Sequence, residues 1–206
     1  MLDQIWRTIS RLTGVTTNDD RLRTAVIIGS TRAGRVGGVL GRWFAEQAAL
    51  RDDLDVSVVD LAEFDFPAGY PEVPTAEMAR FTGALAEADA FVVVTPEYNH
   101  SFPASLKQAV DYGYDEWHAK PVGFVSYGCR STGGHAVGQL CAVFTELHAV
   151  PLCDTIGVDL LDGRVDDSGR PTDTPCRGPA ITALLDQLAW WGLALREARD
   201  QRPYVG

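Results

Sequence analysis

Paired cysteines, clustered histidines, excess basic charge and long apolar runs are all missing from this sequence, and each absence closes a class of function. The four cysteines, at 129, 141, 153 and 176, form no C-x-x-C pair, which removes zinc-ribbon and dithiol-redox chemistry. They read as reduced thiols, with Cys141 and Cys153 as small buried apolar groups. The four histidines stand far apart along the chain and supply no ligand pair at helical or hairpin spacing, so no metal is expected. Eighteen basic residues face 28 acidic ones, for a formal charge of −10. That excludes binding to nucleic acid or an acidic membrane through a whole-protein basic field, while a local basic pocket for a phosphate stays open. No apolar run reaches membrane-spanning length. The first residues lack the basic-then-apolar pattern of a signal peptide, so a cytoplasmic protein with no membrane partner is expected.

What remains is ordinary globular composition, 46% apolar and 22% charged over 206 residues, enough for one domain with a core that needs no staples. Residues 1–22 read as a helical extension and linker. Leu2, Ile5, Trp6, Ile9 and Leu12 recur at helical spacing, Gly14 stops the helix, and a polar run follows. The domain proper is expected over 23–206. Strands are predicted at 25–28, 56–59, 91–94, 122–125 and 152–156. Helices are predicted at 36–50, 75–88, 103–112, 135–148 and 178–199, with Thr75 as an N-cap. The polar segment 159–178 reads as a surface loop or lid. On the last helix, adjacent Trp190 and Trp191 point about 100° apart, one toward the core and the other toward a neighbour. Five strand–helix alternations demand an α/β fold with a parallel sheet covered on both faces and right-handed crossovers.

In a doubly wound sheet of order 2-1-3-4-5, a ligand sits beyond the carboxyl ends of the strands, where the order reverses between strands 1 and 3. Two unusual loops fall there. The first, Gly29-Ser-Thr-Arg-Ala-Gly-Arg-Val-Gly-Gly38, joins strand to helix. Backbone N–H groups at a helix start bind phosphate, and Arg32 and Arg35 add charge-assisted donors. The loop satisfies half of a Walker A pattern, but Arg35 and Val36 stand where lysine and the magnesium hydroxyl belong, so an NTPase is disfavoured. G-x-G-x-x-G is absent as well, against a dinucleotide loop. In the second loop, Thr95-Pro-Glu-Tyr-Asn-His-Ser-Phe-Pro103, Tyr98 can lie against a flat ring, and Asn99 can donate and accept at a heterocycle edge.

Gly29-Ser-Thr-Arg32, Pro96-Glu-Tyr-Asn99 and Ser105-Leu-Lys-x-Ala-x-Asp111 resemble the NAD(P)H-dependent FMN reductase family over roughly residues 23–155. The resemblance implies a flavodoxin-like three-layer sandwich that binds FMN at a subunit interface of a homodimer or homotetramer. It also implies hydride transfer from NADPH or NADH to FMN, with electrons passing to a small-molecule acceptor, a free flavin or a quinone. By position, Ser30, Arg32 and the Arg35-Val36-Gly37 backbone would hold the FMN phosphate, and Pro96, Glu97, Tyr98 and Asn99 would border the isoalloxazine. A third loop, 126–134, would flank the pyrimidine end through Tyr127, Gly128, Cys129, Ser131 and Gly133. N–H groups of 127–129 would stabilise charge on the reduced ring, with Arg130 as a supplement. Cys129 and Arg130 depart from the family's glycine- and serine-rich loop here. This loop lacks the G-x-S-x-G spacing of a nucleophile elbow. No catalytic acid, base or nucleophile is assigned, because the flavin carries the difficult chemistry; His100 is read as an ordinary loop residue. Two other readings compete: a flavodoxin-like electron carrier, and a flavin-free interaction protein on the same fold.

Overall fold

The computed structural model describes residues 21–129, 131–161, 165–172 and 177–205. The helix expected within 1–22, Arg130 and residues 162–164 and 173–176 of the 159–178 loop, Cys176 included, lie outside them. Five strands form one parallel sheet: β1 (Leu22–Ile28), β2 (Leu54–Asp60), β3 (Ala90–Pro96), β4 (Pro121–Gly128) and β5 (Val150–Asp159). Among the described residues, five α-helices follow them in turn: α1 (Gly37–Ala48), α2 (Ala76–Glu87), α3 (Ala104–Tyr112), α4 (Gly134–Glu146) and α5 (Arg177–Gln201). The strand order is β2-β1-β3-β4-β5, the order expected from the sequence.

The layers follow from strand alternation, since successive side chains leave a strand on opposite faces. On one face Leu22, Val26, Val92, Val94 and Val125 pack under α1 and α5, which contribute Leu40, Phe44, Leu184 and Leu188. On the other, Ala25, Ile27, Phe91, Val93 and Phe124 pack under α2, α3 and α4, through Phe81, Leu106, Leu140 and Phe144. β1, β3 and β4 are covered on both sides and read as continuous apolar runs. Thr75 caps α2 as predicted, its Oγ1 accepting from the Met78 N–H at 3.2 Å.

Each strand runs longer than its apolar run predicts. Thr95 and Pro96 close β3, and Ser126 to Gly128 close β4, because backbone pairing continues past the last aliphatic residue: Pro96 registers with Tyr127, and Gly128 with Asp159. Two burial expectations are corrected. Cys153 is exposed, because β5 is an edge strand whose outer residues lack cover, and Cys141, on α4, is only half-buried. Trp190 and Trp191 are both exposed, at 65% and 38%, their rings meeting edge to face at 4.9 Å; the core-facing stripe of α5 runs through Ile181, Leu184, Leu185 and Leu188 instead.

The amino end of the sheet is held by charge. Asp89, buried just before β3, accepts from Arg23 Nε at 2.9 Å and Nη2 at 3.0 Å, Arg199 Nη2 at 3.2 Å and Arg196 Nη1 at 3.4 Å. Burial alone would raise its pKa, but the Arg23 hydrogen bond and the three guanidinium charges hold the carboxyl below its ordinary range. Nearby, Lys120 Nζ donates to Leu85 O at 2.9 Å. Burial, helped by the Arg199 charge, lowers its pKa to about 8.

Candidate functional site

In a parallel sheet every connecting helix starts at the carboxyl edge, so that edge gathers the positive ends of helix dipoles. β1 and β3 lie side by side, and the loops after them diverge to opposite faces, leaving a crevice at the reversal of strand order. Gly29 N–H still donates to Val94 O at 2.8 Å, and the chain then turns away toward α1.

Ser30 is fully buried, and its Oγ makes no well-formed hydrogen bond. Its polar neighbour is the Tyr127 hydroxyl, whose pKa burial pushes up to about 12. That contact lacks hydrogen-bond geometry, so the serine hydroxyl remains available to a ligand. A Cβ on Gly37 would fall 2.2 Å from Ser30 Oγ and 2.4 Å from the Tyr127 oxygen; only glycine lets the first turn of α1 approach so closely. α1 carries no side-chain cap, which leaves its N-terminal dipole uncovered by any side chain. An unpartnered buried hydroxyl, an uncapped helix start and a glycine-tight cradle suit a phosphate ester, as FMN requires.

The two arginines of this loop part company. Arg35 Nη2 donates to Asp60 Oδ2 at 2.7 Å, and Asp60, buried at the end of β2, also pairs with Arg42. The Arg35 charge is thus largely neutralised within the protein, although Nη1 is buried without a partner. Its N–H donates to Arg32 O at 3.2 Å, so Val36 and Gly37 carry the backbone part of the expected cradle. Arg32 is exposed, with its guanidinium 5.7 Å from the Tyr98 ring centroid. Thr31 Oγ1 donates to Ser105 Oγ at 3.2 Å, tying the loop to the start of α3. A cleft of about 610 Å³ opens beside that start, lined by Tyr70, Ser105, Gln108 and Tyr112 among others.

The second loop is a tight turn. Tyr98 and Ser101 exchange backbone hydrogen bonds at 2.8 and 3.0 Å. Asn99 and His100 between them sit at φ +53° and +64°, the left-handed pair of a type I′ turn, where asparagine is favoured. Asn99 is therefore carried at the tip, Tyr98 stays half-buried beneath it, and Pro96 closes the strand. α4 clasps this turn: Gln139 Nε2 donates to His100 O at 2.8 Å, and Ser101 Oγ to Gln139 Oε1 at 2.7 Å. Glu97 accepts from the His135 N–H at 3.1 Å. Burial works to raise the Glu97 pKa, but bonds from Ser131 and His135 hold it below the usual carboxylate range.

The third loop begins later than the sequence suggests. Tyr127 and Gly128 lie in β4, and the Tyr127 ring is buried with the α1 and α5 core, reaching Ser30 through its hydroxyl. Tyr127 thus backs the first loop, and the segment free to flank a ring starts at Cys129, which is exposed. Thr132 and Gly133 adopt φ +51° and +92°, and Ser126 Oγ donates to Thr132 O at 2.7 Å. A Cβ on Gly133 would lie 2.4 Å from Ser126 Cβ. Ser131 leans on Glu97, so the second and third loops form one unit.

Sequence reasoning missed Asp60, Gln139 and His135. Asp60 ends an apolar strand and carries no motif. Gln139 and His135 reach the site through tertiary contact alone. The four histidines, far apart in sequence, also converge in two pairs: His100 with His135 at 4.2 Å between ring centroids, and His118 with His148 at 5.1 Å.

The family model described as NADPH-dependent FMN reductase matches residues 22–159, two thirds of the chain and all three loops. The chain belongs to this family. An NAD(P)H-dependent FMN reductase of Schizosaccharomyces pombe is 38% identical over 138 residues, covering 61% of this chain and 68% of that protein. A quinone reductase of Pseudomonas putida is 30% identical over 184 residues, covering 81% and 92%. Among solved structures, the NAD(P)H:acceptor oxidoreductase FerB of Paracoccus denitrificans superposes with a TM-score of 0.66 at 20% identity, covering 83% of this chain and 97% of that one; this likeness shows the fold. Family membership favours an FMN-dependent enzyme over the electron carrier and the flavin-free interaction protein. No helix among the described residues is long and apolar enough to cross a membrane.

Proposed function

We propose that this protein is an FMN-dependent NAD(P)H oxidoreductase whose flavin lies at the carboxyl edge of the sheet, across β1 and β3, and whose electron acceptor is a free flavin or a quinone. The observation that carries the reading is the unpartnered, fully buried Ser30 hydroxyl beside the Gly37 cradle, at the point where the fold places ligands. FMN, when bound, supplies the hydride chemistry between nicotinamide and acceptor.

The chain's own residues bind and position. Ser30, the Val36 and Gly37 backbone and the Arg32 guanidinium hold the phosphate; with Arg35 committed to Asp60, Arg32 is the side chain left to match the phosphate charge. Pro96, Glu97, Tyr98 and Asn99 border the ring, with Glu97 shaping the loop from behind through His135 and Ser131. The N–H groups beyond Gly128, in Cys129, Ser131 and Gly133, would meet negative charge at the pyrimidine end as preorganised dipoles. The left-handed Thr132–Gly133 pair fixes their direction. No side chain is required as acid, base or nucleophile. The quinone acceptor is supported by the Pseudomonas putida relative, and by a Burkholderia relative named 2-hydroxy-1,4-benzoquinone reductase, 27% identical and covered over 98% of its length. A cytoplasmic homodimer or homotetramer fits the free thiols and the apolar patch of Trp190, Trp191 and Leu193 on α5.

The test is the visible spectrum of purified protein incubated with FMN, gel-filtered, then mixed anaerobically with NADPH and separately with NADH. A retained flavin band that bleaches supports the reading and identifies the donor. A band that stays oxidised with both donors, or no retention together with no turnover in excess FMN, overturns it.

A further inference from the structure

Glu97, His100 and His135 each offer one ligand atom, a carboxylate oxygen or a ring nitrogen, and these atoms lie within 4.8 Å of one another. His135 Nδ1 already stands 3.1 Å from Glu97 Oε1. Tetrahedral zinc, with bonds of about 2.0–2.2 Å to nitrogen and oxygen, sets its ligand atoms about 3.3–3.5 Å apart, so the cluster needs to tighten by about 1.5 Å at most. We propose that Glu97, His100 and His135 form a binding site for a divalent transition-metal ion of the zinc class, with a fourth position open to solvent.

The supports are built around the ligands. His100 is the second central residue of the type I′ turn, and its carbonyl is held by Gln139. The Glu97 carboxylate is fixed by the His135 backbone N–H. The side chain of His135 is half exposed and that of Glu97 mostly buried, so an ion enters from solvent and meets an oriented carboxylate. Two imidazoles and one carboxylate make a His₂Glu set, which suits zinc and its neighbours and does not suit magnesium or calcium, which favour all-oxygen shells. A bound ion would cross-link the turn after β3 to the start of α4.

The test is calorimetric titration of Zn²⁺ into chelator-treated full-length protein, with millimolar Mg²⁺ present. One ion per chain at micromolar or tighter affinity is expected, weakened at least about tenfold by each of His100→Ala, His135→Ala and Glu97→Gln and unchanged by His148→Ala. Thermal melting in chelator checks that the variants remain folded, and Co²⁺ substitution gives a tetrahedral visible spectrum as an independent readout. Failure to bind at micromolar Zn²⁺, binding that survives all three substitutions, or binding lost with His148→Ala overturns the proposal. FMN retention is measured separately: protein that binds Zn²⁺ in this pattern but never FMN keeps this site and removes the flavin reading.

Discussion

Two adjacent glycines at the start of α1 should respond in opposite ways to the same methyl group. A Cβ on Gly37 would lie 2.2 Å from Ser30 Oγ and 2.4 Å from the Tyr127 hydroxyl, whereas on Gly38 its nearest neighbour is the Arg35 guanidinium at 3.6 Å. The Ser30 hydroxyl can rotate away, but the Tyr127 ring is packed in the core, so Gly37→Ala must also displace the first turn of the helix. Overpacking of this kind costs about 1–3 kcal/mol, or a melting shift of about 2–4 °C per kcal/mol for a chain of this size. The rotated serine also leaves the phosphate site. Loss of one hydrogen bond to a charged group, about 1.5–3 kcal/mol, predicts FMN binding weaker by about 10- to 150-fold. Gly38→Ala meets ordinary contacts and gains helix propensity, so it should hold or raise stability by up to about 1 kcal/mol and leave FMN affinity unchanged. Differential scanning calorimetry and quenching of FMN fluorescence measure both quantities. Equal effects of the two substitutions, or wild-type flavin affinity in Gly37→Ala, would refute the cradle.

The other expectations reach both ends of the sheet. Arg32→Ala should weaken FMN binding by about 1.5–3 kcal/mol with little change in melting temperature; normal flavin content after gel filtration would defeat the phosphate assignment. Tyr98→Ala should change turnover or flavin affinity, and steady-state kinetics with unaltered values for both would show that the ring does not lie there. Asp89→Asn leaves Arg23, Arg196 and Arg199 without their buried carboxylate, so a loss of about 3 kcal/mol is expected; denaturant melts showing under about 1 kcal/mol would mean that solvent already screens the cluster. Lys120 has a folded pKa of about 8 against 10.5, so between these values the unfolded chain holds a proton that the folded one lacks. Its contribution to stability therefore rises with pH across that window, by at most about 3 kcal/mol, and Lys120→Met should remove the rise when the two stability–pH curves are subtracted.

The fold was legible because its signals were local and agreed with one another. Short apolar runs alternated with amphipathic stretches, and Thr75 marked a helix start that the structure confirms. Strand ends were less legible: Thr95–Pro96 and Ser126–Gly128 continue their strands through backbone pairing that carries no side-chain signature. The first two loops could be located because topology selects them before any motif does. Which arginine would be left to a phosphate could not be read, because Arg35 is claimed by Asp60, a contact across 25 residues that only the packing of β2 beside β1 creates. His100 and His135 stayed unrelated in sequence for the same reason. The misplaced tryptophans show the limit of helical periodicity: it gives the angle between neighbours and leaves the rotation of the helix to the apolar stripe as a whole.

The two ends of the sheet are built differently. At the amino end, the buried Asp89 carboxylate is surrounded by guanidinium donors, and Lys120 reaches backbone carbonyls. At the carboxyl end, a buried serine hydroxyl lacks a partner, a buried guanidinium nitrogen of Arg35 is left over, and three non-glycine loop residues, Asn99, His100 and Thr132, sit in left-handed backbone. The amino end carries His118 Nε2 buried without a partner and two left-handed residues, Ala119 and His148. Unsatisfied buried groups and strained turns each lower the stability of the free protein, and those that border a ligand site can be offset on binding. The Ser30 hydroxyl and the three left-handed loop residues all border the crevice between β1 and β3 or the loops that close it, whereas Ala119 and His148 lead into the amino ends of β4 and β5. A phosphate on Ser30 would satisfy the deepest of these deficits, so FMN should raise the melting temperature of the wild-type protein more than that of Ser30→Ala, in which the orphan hydroxyl is gone before the ligand arrives.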